Sequence, residues 1–419
     1  MKIGCDIYVR GERMSLRMSL NIIKKKLWLL ATCVMLAVAF NSDWNSNSMI
    51  WWGSVAFFGI VYAFYKDFKI SMKSNTADKW MLGFLLISSL SVFYAANREA
   101  TIDSLKTLIV MLFVCFLISK DIYEKKDLRE LLWTTFFSLL IVAVYLYLYV
   151  DFNLFALTRI GEANTGRWNA NDIGIMTSIG ILIAIMLFRD TNRLMKLLLI
   201  FSIPFLLYLD IMAASRKAIL MLVICLCGMR ILNNPTKVVK NILFITVGVC
   251  LTMYLIFEVP FFYELIGWRM EGMVALLRGD TIDADSSAIT RALMIQSAMK
   301  VFYDNPIFGV GLDNFRFFNA VRLTYSHNNF VEIAANLGII GFISYYWIFV
   351  YIILDYLKKR KRHEEMRTFL FVVIMAYIIN HVAMVTILDM LQCVFIFLYI
   401  VYSEVASQED KKEIYVMKT

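Results

Sequence analysis

Hydrophobic and polar positions along this chain alternate on a long scale, with apolar runs of membrane-crossing length separated by short polar stretches. A bilayer's hydrocarbon core is ~30 Å thick and takes about 20 helical residues to cross. On that measure the pattern predicts twelve spans, at 27–41, 49–65, 79–95, 105–119, 131–150, 173–188, 194–212, 216–232, 241–257, 331–354, 369–385 and 388–405. The shorter runs are expected to extend into their flanks or to stand with little tilt. The first run, Leu27 to Phe40, follows Lys24-Lys25-Lys26 and no small-residue cleavage site comes after it, so it reads as a span rather than a signal peptide. The pattern predicts an all-α polytopic membrane protein, a single membrane domain over 1–419 with one large extracytoplasmic loop at 258–330.

Composition agrees. At 60% hydrophobic, 18% charged and a mean hydropathy of +0.67, the 419 residues are too apolar for a soluble domain of that length. Only four prolines and no Gly/Ser linker are present, so no appended soluble module is expected. The net charge of +9 would suggest a nucleic-acid partner, but its distribution argues otherwise. Between the spans, one alternate set of loops, counted with the termini, carries 30 of the 42 Lys and Arg residues and the other set carries 12. The basic excess is a topology signal that puts both termini in the cytoplasm. Cys33, Cys115, Cys225, Cys227, Cys250 and Cys393 fall within spans and Cys5 in the basic tail, so no disulfide framework is expected.

The outer loops are poor in basic residues, which singles out those present. Arg159 and Arg167 flank "IGEANTG", Arg216 stands in "AASRKAIL" at a span edge, and Arg291 lies in the amphipathic stretch "DSSAITRALMIQSAMKVF". Beyond "YDNPIFGVGLDNF", with Gly309 and Gly311 allowing tight backbone, comes "YSHNNFVEIAANLGIIGF", where His327 and Asn328 open directly into an apolar helix. Each has a plainer reading. A span-edge arginine often snorkels to lipid phosphate, Asn328 or Ser326 can simply cap the helix, and a lone boundary histidine is more often structural. Gly309-x-Gly311 lacks the third glycine of a nucleotide loop. Asp283 and Asp285 have no histidine partner, so no metal cluster is expected. Together the set is less plain: guanidinium forks and a helix N-terminus suit a diphosphate, and a neutral imidazole can take a proton from a sugar hydroxyl. Transfer of a glycan from a lipid diphosphate needs both.

At these residues the sequence resembles the O-antigen ligase and polysaccharide polymerase superfamily of bacterial inner membranes. The resemblance runs over "SRKAIL", "ITRALMIQSAMKVFYDNPIFGVGLDNF" and "YSHNNFVEIAANLGIIGF", and "RWNANDIGI" is similar to the asparagine-bearing segment of polymerase-type members. It implies a metal-independent membrane glycosyltransferase, without cofactor, acting outside on a polyprenyl-diphosphate-linked (undecaprenyl-type) donor and a glycan acceptor. By position, Arg216 and Arg291 would hold the diphosphate and His327 would activate the acceptor. Asn328 and Glu332 would orient or cap. Arg159, Arg167, Asn171, Gly309 and Gly311 would belong to the substrate-binding surface. Lysine at 217, where glycine is frequent in ligases, is a departure with no assigned role.

Three readings share this topology: a polymerase of lipid-linked repeat units into O-antigen, capsular or exopolysaccharide; a ligase moving the glycan to a lipid A-core, protein or cell-wall acceptor; and a non-catalytic transporter or flippase. Asp210 and Asn380-His381 are the main polar intrusions and no repeat relates the two halves, which disfavours transport. The "NANDIG" resemblance favours the polymerase. A single, inverting displacement is expected, and a chain-length regulator and a flippase are the implied partners.

Overall fold

The computed structural model describes residues 2–69, 74–149, 168–233, 235–268, 270–272, 278, 286–359 and 364–418, and among them every regular element is helical. The long helices are α1 (Lys2–Phe40), α2 (Ser48–Tyr65), α3 (Thr76–Leu90), α4 (Arg98–Ser119), α5 (Lys125–Tyr149), α6 (Ala170–Leu187), α7 (Arg193–Ala213), α8 (Arg216–Asn233), α9 (Val238–Glu258), α10 (Ser286–Asp304), α11 (Asn329–Lys359), α12 (Glu365–Asn380) and α13 (Met390–Lys418). Asparagine sets where many of them begin. The side chains of Asn47, Asn75, Asn97, Asn169 and Asn192 each accept a first-turn backbone N–H that no helical carbonyl can reach.

Eight helices, α2, α4, α5, α6, α7, α9, α11 and α13, are long and apolar enough to cross a membrane, which makes this a multi-pass membrane protein. The other four expected spans lie on α1, α3, α8 and α12 and fall short of that standard. The reasons are local. α3 has 15 residues and α12 has 16, α8 carries Arg216, Lys217 and Arg230 within its 18 residues, and α1 turns continuously apolar only past Lys26. Three of them pack against spanning helices, α3 on α11, α8 on α6 and α1 on α5.

The two loop sets gather at opposite ends. At one end, Lys25 pairs with Asp127 (2.7 Å), Lys66 with Asp121 (2.7 Å) and Lys120 with Asp78 (2.5 Å), joining three of the basic connections. At the other end, Trp168 Nε1 donates to Asp43 (2.8 Å), Ser215 Oγ to Asn171 (3.1 Å), and Asn97 N–H to Asn314 (2.7 Å).

α11 is broken. Gly338 has φ +63°, and the turn it makes splits the helix into two halves. The segment 305–311 closes the gap. Val310 and Gly311 donate their N–H groups to the carbonyls of Ala335 (3.1 Å) and Asn336 (2.8 Å), the end of the first half. Ile339, at the start of the second half, donates to the Pro306 carbonyl (2.9 Å). Backbone groups freed inside a membrane bundle must find partners, and these do. A Cβ on Gly309, whose φ is +67°, or on Gly338 would fall on the facing backbone.

Candidate active site at the loop-bearing end of the bundle

The site is built from three helix starts. Asn169 caps α6, and the next polar residue, Asn171, spends its side chain on Asn169 (3.1 Å) and on the Ser215 hydroxyl (3.1 Å). Ser215 follows Ala214, a left-handed turn at φ +46°, and precedes Arg216 at the first position of α8. Gly174 allows this approach: a Cβ there would stand 2.7 Å from Ala218 Cβ and 2.9 Å from Ser215 Cβ. The "NANDIG" and "ASRKA" segments are thus one joint. It brings the buried Lys217 ammonium to bear on Asp172, which is exposed because it faces an internal cavity.

The third helix start carries His327. Its φ of +60° is left-handed, uncommon outside glycine and worth ~1 kcal/mol or more of strain, so its flanks must hold it. They do. Ser326 N–H donates to Glu332 (2.7 Å) and Ser326 Oγ to the Asn328 carbonyl (2.9 Å). Asn328 caps α11 through Phe330 N–H (2.9 Å) and Val331 N–H (3.2 Å), and its amide donates to the Val382 carbonyl (3.1 Å). Glu332, 3% exposed, also accepts from Asn336 (2.9 Å), whose own oxygen accepts Phe315 N–H (2.7 Å). The imidazole sits against the Tyr325 ring, centroids 4.4 Å apart. Burial first, then the positive charges of Arg291, Lys217 and Arg322, pull its pKa from 6.5 to about 4. The ring is therefore neutral near pH 7. Burial pushes the Tyr325 hydroxyl up, with Asp172 and Glu332 adding and Arg291 opposing.

Beside His327, with Tyr325 on its wall, opens a cavity of about 960 Å³, at the upper end of ligand-pocket sizes (~300–1,000 Å³). Asp103, Asp172, Asp313, Glu332 and Asp389 line it, and among the described residues Lys106 is the one cation that does. Asp313 is held by Ser104 (2.7 Å) and Arg316 (2.9 Å), while burial raises its pKa. Cations gather around His327, which we term the rim; carboxylates gather in the cavity beneath. Among the described residues, no group of three His, Cys, Asp or Glu side chains could hold a metal ion.

The expected residues divide accordingly. Arg291 and His327 come together. Arg216 is half-buried at the head of α8, yet Lys217, which had no assigned role, is the α8 charge that acts on the imidazole. Asn328, Glu332 and Asn171 brace the backbone that carries the rim. Gly309 and Gly311, expected at the substrate surface, serve the joint in α11, and neither lines the large cavity. Arg159 and Arg167 lie outside the described residues. Sequence reasoning missed Asp172 and Tyr325, although the first lay within the quoted "RWNANDIGI" and the second directly before Ser326.

Residues 201–346 match the family model described as O-antigen ligase. The match runs from within α7 past the break in α11, and so contains the Ser215-Arg216-Lys217 turn, Arg291, the glycine joint, His327 and Glu332. No curated protein matches the chain.

Proposed function

We propose that this chain, whose residues 201–346 match the O-antigen ligase family model, is a member of the O-antigen ligase and polysaccharide polymerase superfamily that polymerises lipid-linked oligosaccharide repeat units on the outer face of a bacterial plasma membrane. The observation that carries this reading is the convergence of Arg291, Lys217 and Arg322 on a neutral His327 beside a cavity wide enough for an oligosaccharide. Both termini are cytoplasmic in this reading, as the basic excess of one loop set supports.

In the proposed reaction an acceptor hydroxyl attacks the anomeric carbon of the donor's first sugar. The bond from that carbon to the diphosphate oxygen breaks, its electron pair leaves with polyprenyl diphosphate, and the hydroxyl proton passes to the His327 imidazole. Arg291, Lys217 and Arg216 stabilise the charge that develops on the leaving diphosphate. Guanidinium and ammonium groups thereby take the part a metal ion plays in other glycosyl transfers, so the reaction is proposed as metal-independent. An imidazole with a pKa of about 4 is a weak base; burial is the larger cause, and the diphosphate offsets the part contributed by the neighbouring cations. Donor binding thus raises its basicity when a base is needed. One displacement inverts the anomeric centre. Glu332 is a poor candidate for a covalent nucleophile, because Ser326 and Asn336 occupy its oxygens.

The ligase reading shares these residues and differs only in the acceptor; the matched family's description favours it. The polymerase is favoured by the "NANDIG" segment, which joins the Ser215–Lys217 turn and contributes Asp172 to the cavity. A flippase would supply the lipid-linked donor, and a chain-length regulator is a further proposed partner. The test uses purified protein, a defined polyprenyl-diphosphate repeat unit, EDTA and a gel that resolves glycan length. A ladder that His327→Ala loses is the expected result. A product that forms only when a core lipid or protein acceptor is added makes the chain a ligase, and no product with any acceptor restores transport.

A further inference from the structure

Asn380-His381 stands out in the sequence as a polar intrusion, and it has no part in the reaction proposed above. His381 caps the end of α12 and is fully buried, walled by the rings of Phe330, Tyr345, Tyr346 and Phe349. Both ring nitrogens have partners. Nε2 donates to Gln392 Oε1 (2.9 Å), and the Gln392 amide donates in turn to the Tyr345 hydroxyl (2.8 Å). Nδ1 accepts from the Tyr346 hydroxyl (3.3 Å), whose oxygen accepts from the Asn329 amide (3.0 Å). Thr386 N–H donates to Asn329 Oδ1 (2.9 Å), which fixes the end of that amide that faces Tyr346. The circuit closes on the main chain, where Asn329 N–H donates to the His381 carbonyl (2.8 Å). A buried network whose members are satisfied in this way is rigid.

The network depends on the break in α11. Asn329 and Tyr346 are 17 residues apart, which in a continuous helix would separate them by about 25 Å. Across the turn at Gly338 their side chains meet, and the Phe330 and Tyr346 rings stack at 5.0 Å. His381 ties the two halves together, one through Asn329 and the other through Tyr346. Asn329 stands two residues after His327, and Asn328 between them is held from the same turn, through the Val382 carbonyl (3.1 Å). We infer that His381 is a positioning residue: acting through Tyr346 and Asn329, it holds the helix start that keeps His327 in its left-handed backbone. The inference rests on the glycan-transfer reading for what His327 does, while the setting of the His327 imidazole can be read without any substrate.

The experiment records the imidazole nitrogen resonances of the full-length protein in detergent by NMR, and kcat and KM for a defined polyprenyl-diphosphate repeat unit. The chain's three histidines give three imidazoles, and the signal lost in His327→Ala belongs to His327. Tyr346→Phe keeps the packing and cuts the link between Nδ1 and Asn329. It should shift the His327 resonance and lower kcat roughly 10- to 100-fold, the cost of a displaced catalytic group, with KM within about 2-fold. Tyr399→Phe is the control: it removes a buried bond of the same kind between α13 and α11, to Asp355 (3.1 Å) near the far end of α11, and should leave the resonance and kcat unchanged. His381→Asn keeps an acceptor where Nδ1 stood and should recover most of what His381→Ala loses. His381→Gln reaches the Nε2 position instead and should recover less, although it fills more space; a role in packing alone predicts the opposite order. An unmoved His327 resonance with normal kcat in Tyr346→Phe, or rescue by glutamine as full as by asparagine, overturns the inference. If His381→Ala does not fold, Tyr346→Phe decides alone. A His327 resonance that moves in Tyr346→Phe but not in Tyr399→Phe, in a protein that makes no glycan product with any acceptor, keeps the positioning role and defeats the transferase reading. Turnover that His327→Ala abolishes and Tyr346→Phe leaves intact does the reverse.

Discussion

The rim and the cavity lie side by side and carry opposite charge. Around His327 the acting charges are Arg291, Lys217 and Arg322; the cavity is lined, among the described residues, by five carboxylates and one lysine. Tyr325 belongs to both, its ring tilted against the imidazole and its hydroxyl feeling Asp172, Glu332 and Arg291 together. One substrate whose two ends differ in charge fits such a division better than two unrelated ligands. A glycan on a lipid diphosphate is such a molecule, and the bond to be broken would lie where the sign changes.

If the two regions do different work, rim variants should lower kcat and cavity variants should raise KM. The largest loss is expected from His327→Ala, roughly 100- to 10,000-fold in turnover, as for removal of a general base. Turnover of lipid-linked repeat units by protein that still inserts is the measurement. Arg291→Ala should cost on the order of 100-fold or more, and Arg291→Lys should restore little of it, because a point charge replaces a two-pronged donor. Next, Gly338→Ala should destabilise the protein by more than ~1–3 kcal/mol, since left-handed strain is compounded by collision with the Ile307 backbone; size-exclusion after heating would detect it. That variant separates damage to the frame from damage to the rim.

Smaller effects sharpen the electrostatics. With His327 required neutral, activity of the free enzyme should hold above pH of about 4 and fall below it, where the ring takes a proton. Removing a neighbouring positive charge favours protonation, so Lys217→Met should move that acid limb toward 6.5, as a pH profile of kcat/KM would record. Smallest of all, Asn171→Ala removes the bond to Ser215 and should cost a few-fold in activity, in line with ~0.5–1.5 kcal/mol for one hydrogen bond.

The helical membrane class was legible because hydropathy is a local property, read off each run alone. Arg291 and His327 were legible because a motif keeps them in recognisable company. Lys217 was not: neighbours on a helix point about 100° apart, and only the packing of α8 on α6 decides whether position 216 or 217 turns toward the imidazole. Asp172 was hidden for a similar reason. It sits in a helix start whose asparagines draw attention, and only the fold puts it on one cavity wall with Asp313, Glu332 and Asp389. The glycines at 309 and 311 were assigned to substrate because spacing reveals a tight backbone but not what approaches it. Four expected spans fell on helices too short or too charged to count as crossings: α3 and α12 stop at 15 and 16 residues, and basic side chains interrupt α1 and α8.

The closed gap in α11 has a consequence for how this chain can diverge by descent. Gly309 and Gly338 look like separate positions in a sequence, but a side chain on either would collide with backbone of the other's segment, Asn336 facing Gly309 and Ile307 facing Gly338. A lineage that loses one has no use for the other. The two should be inherited as a single character, kept or discarded together, while the walls of the cavity drift to suit new sugars.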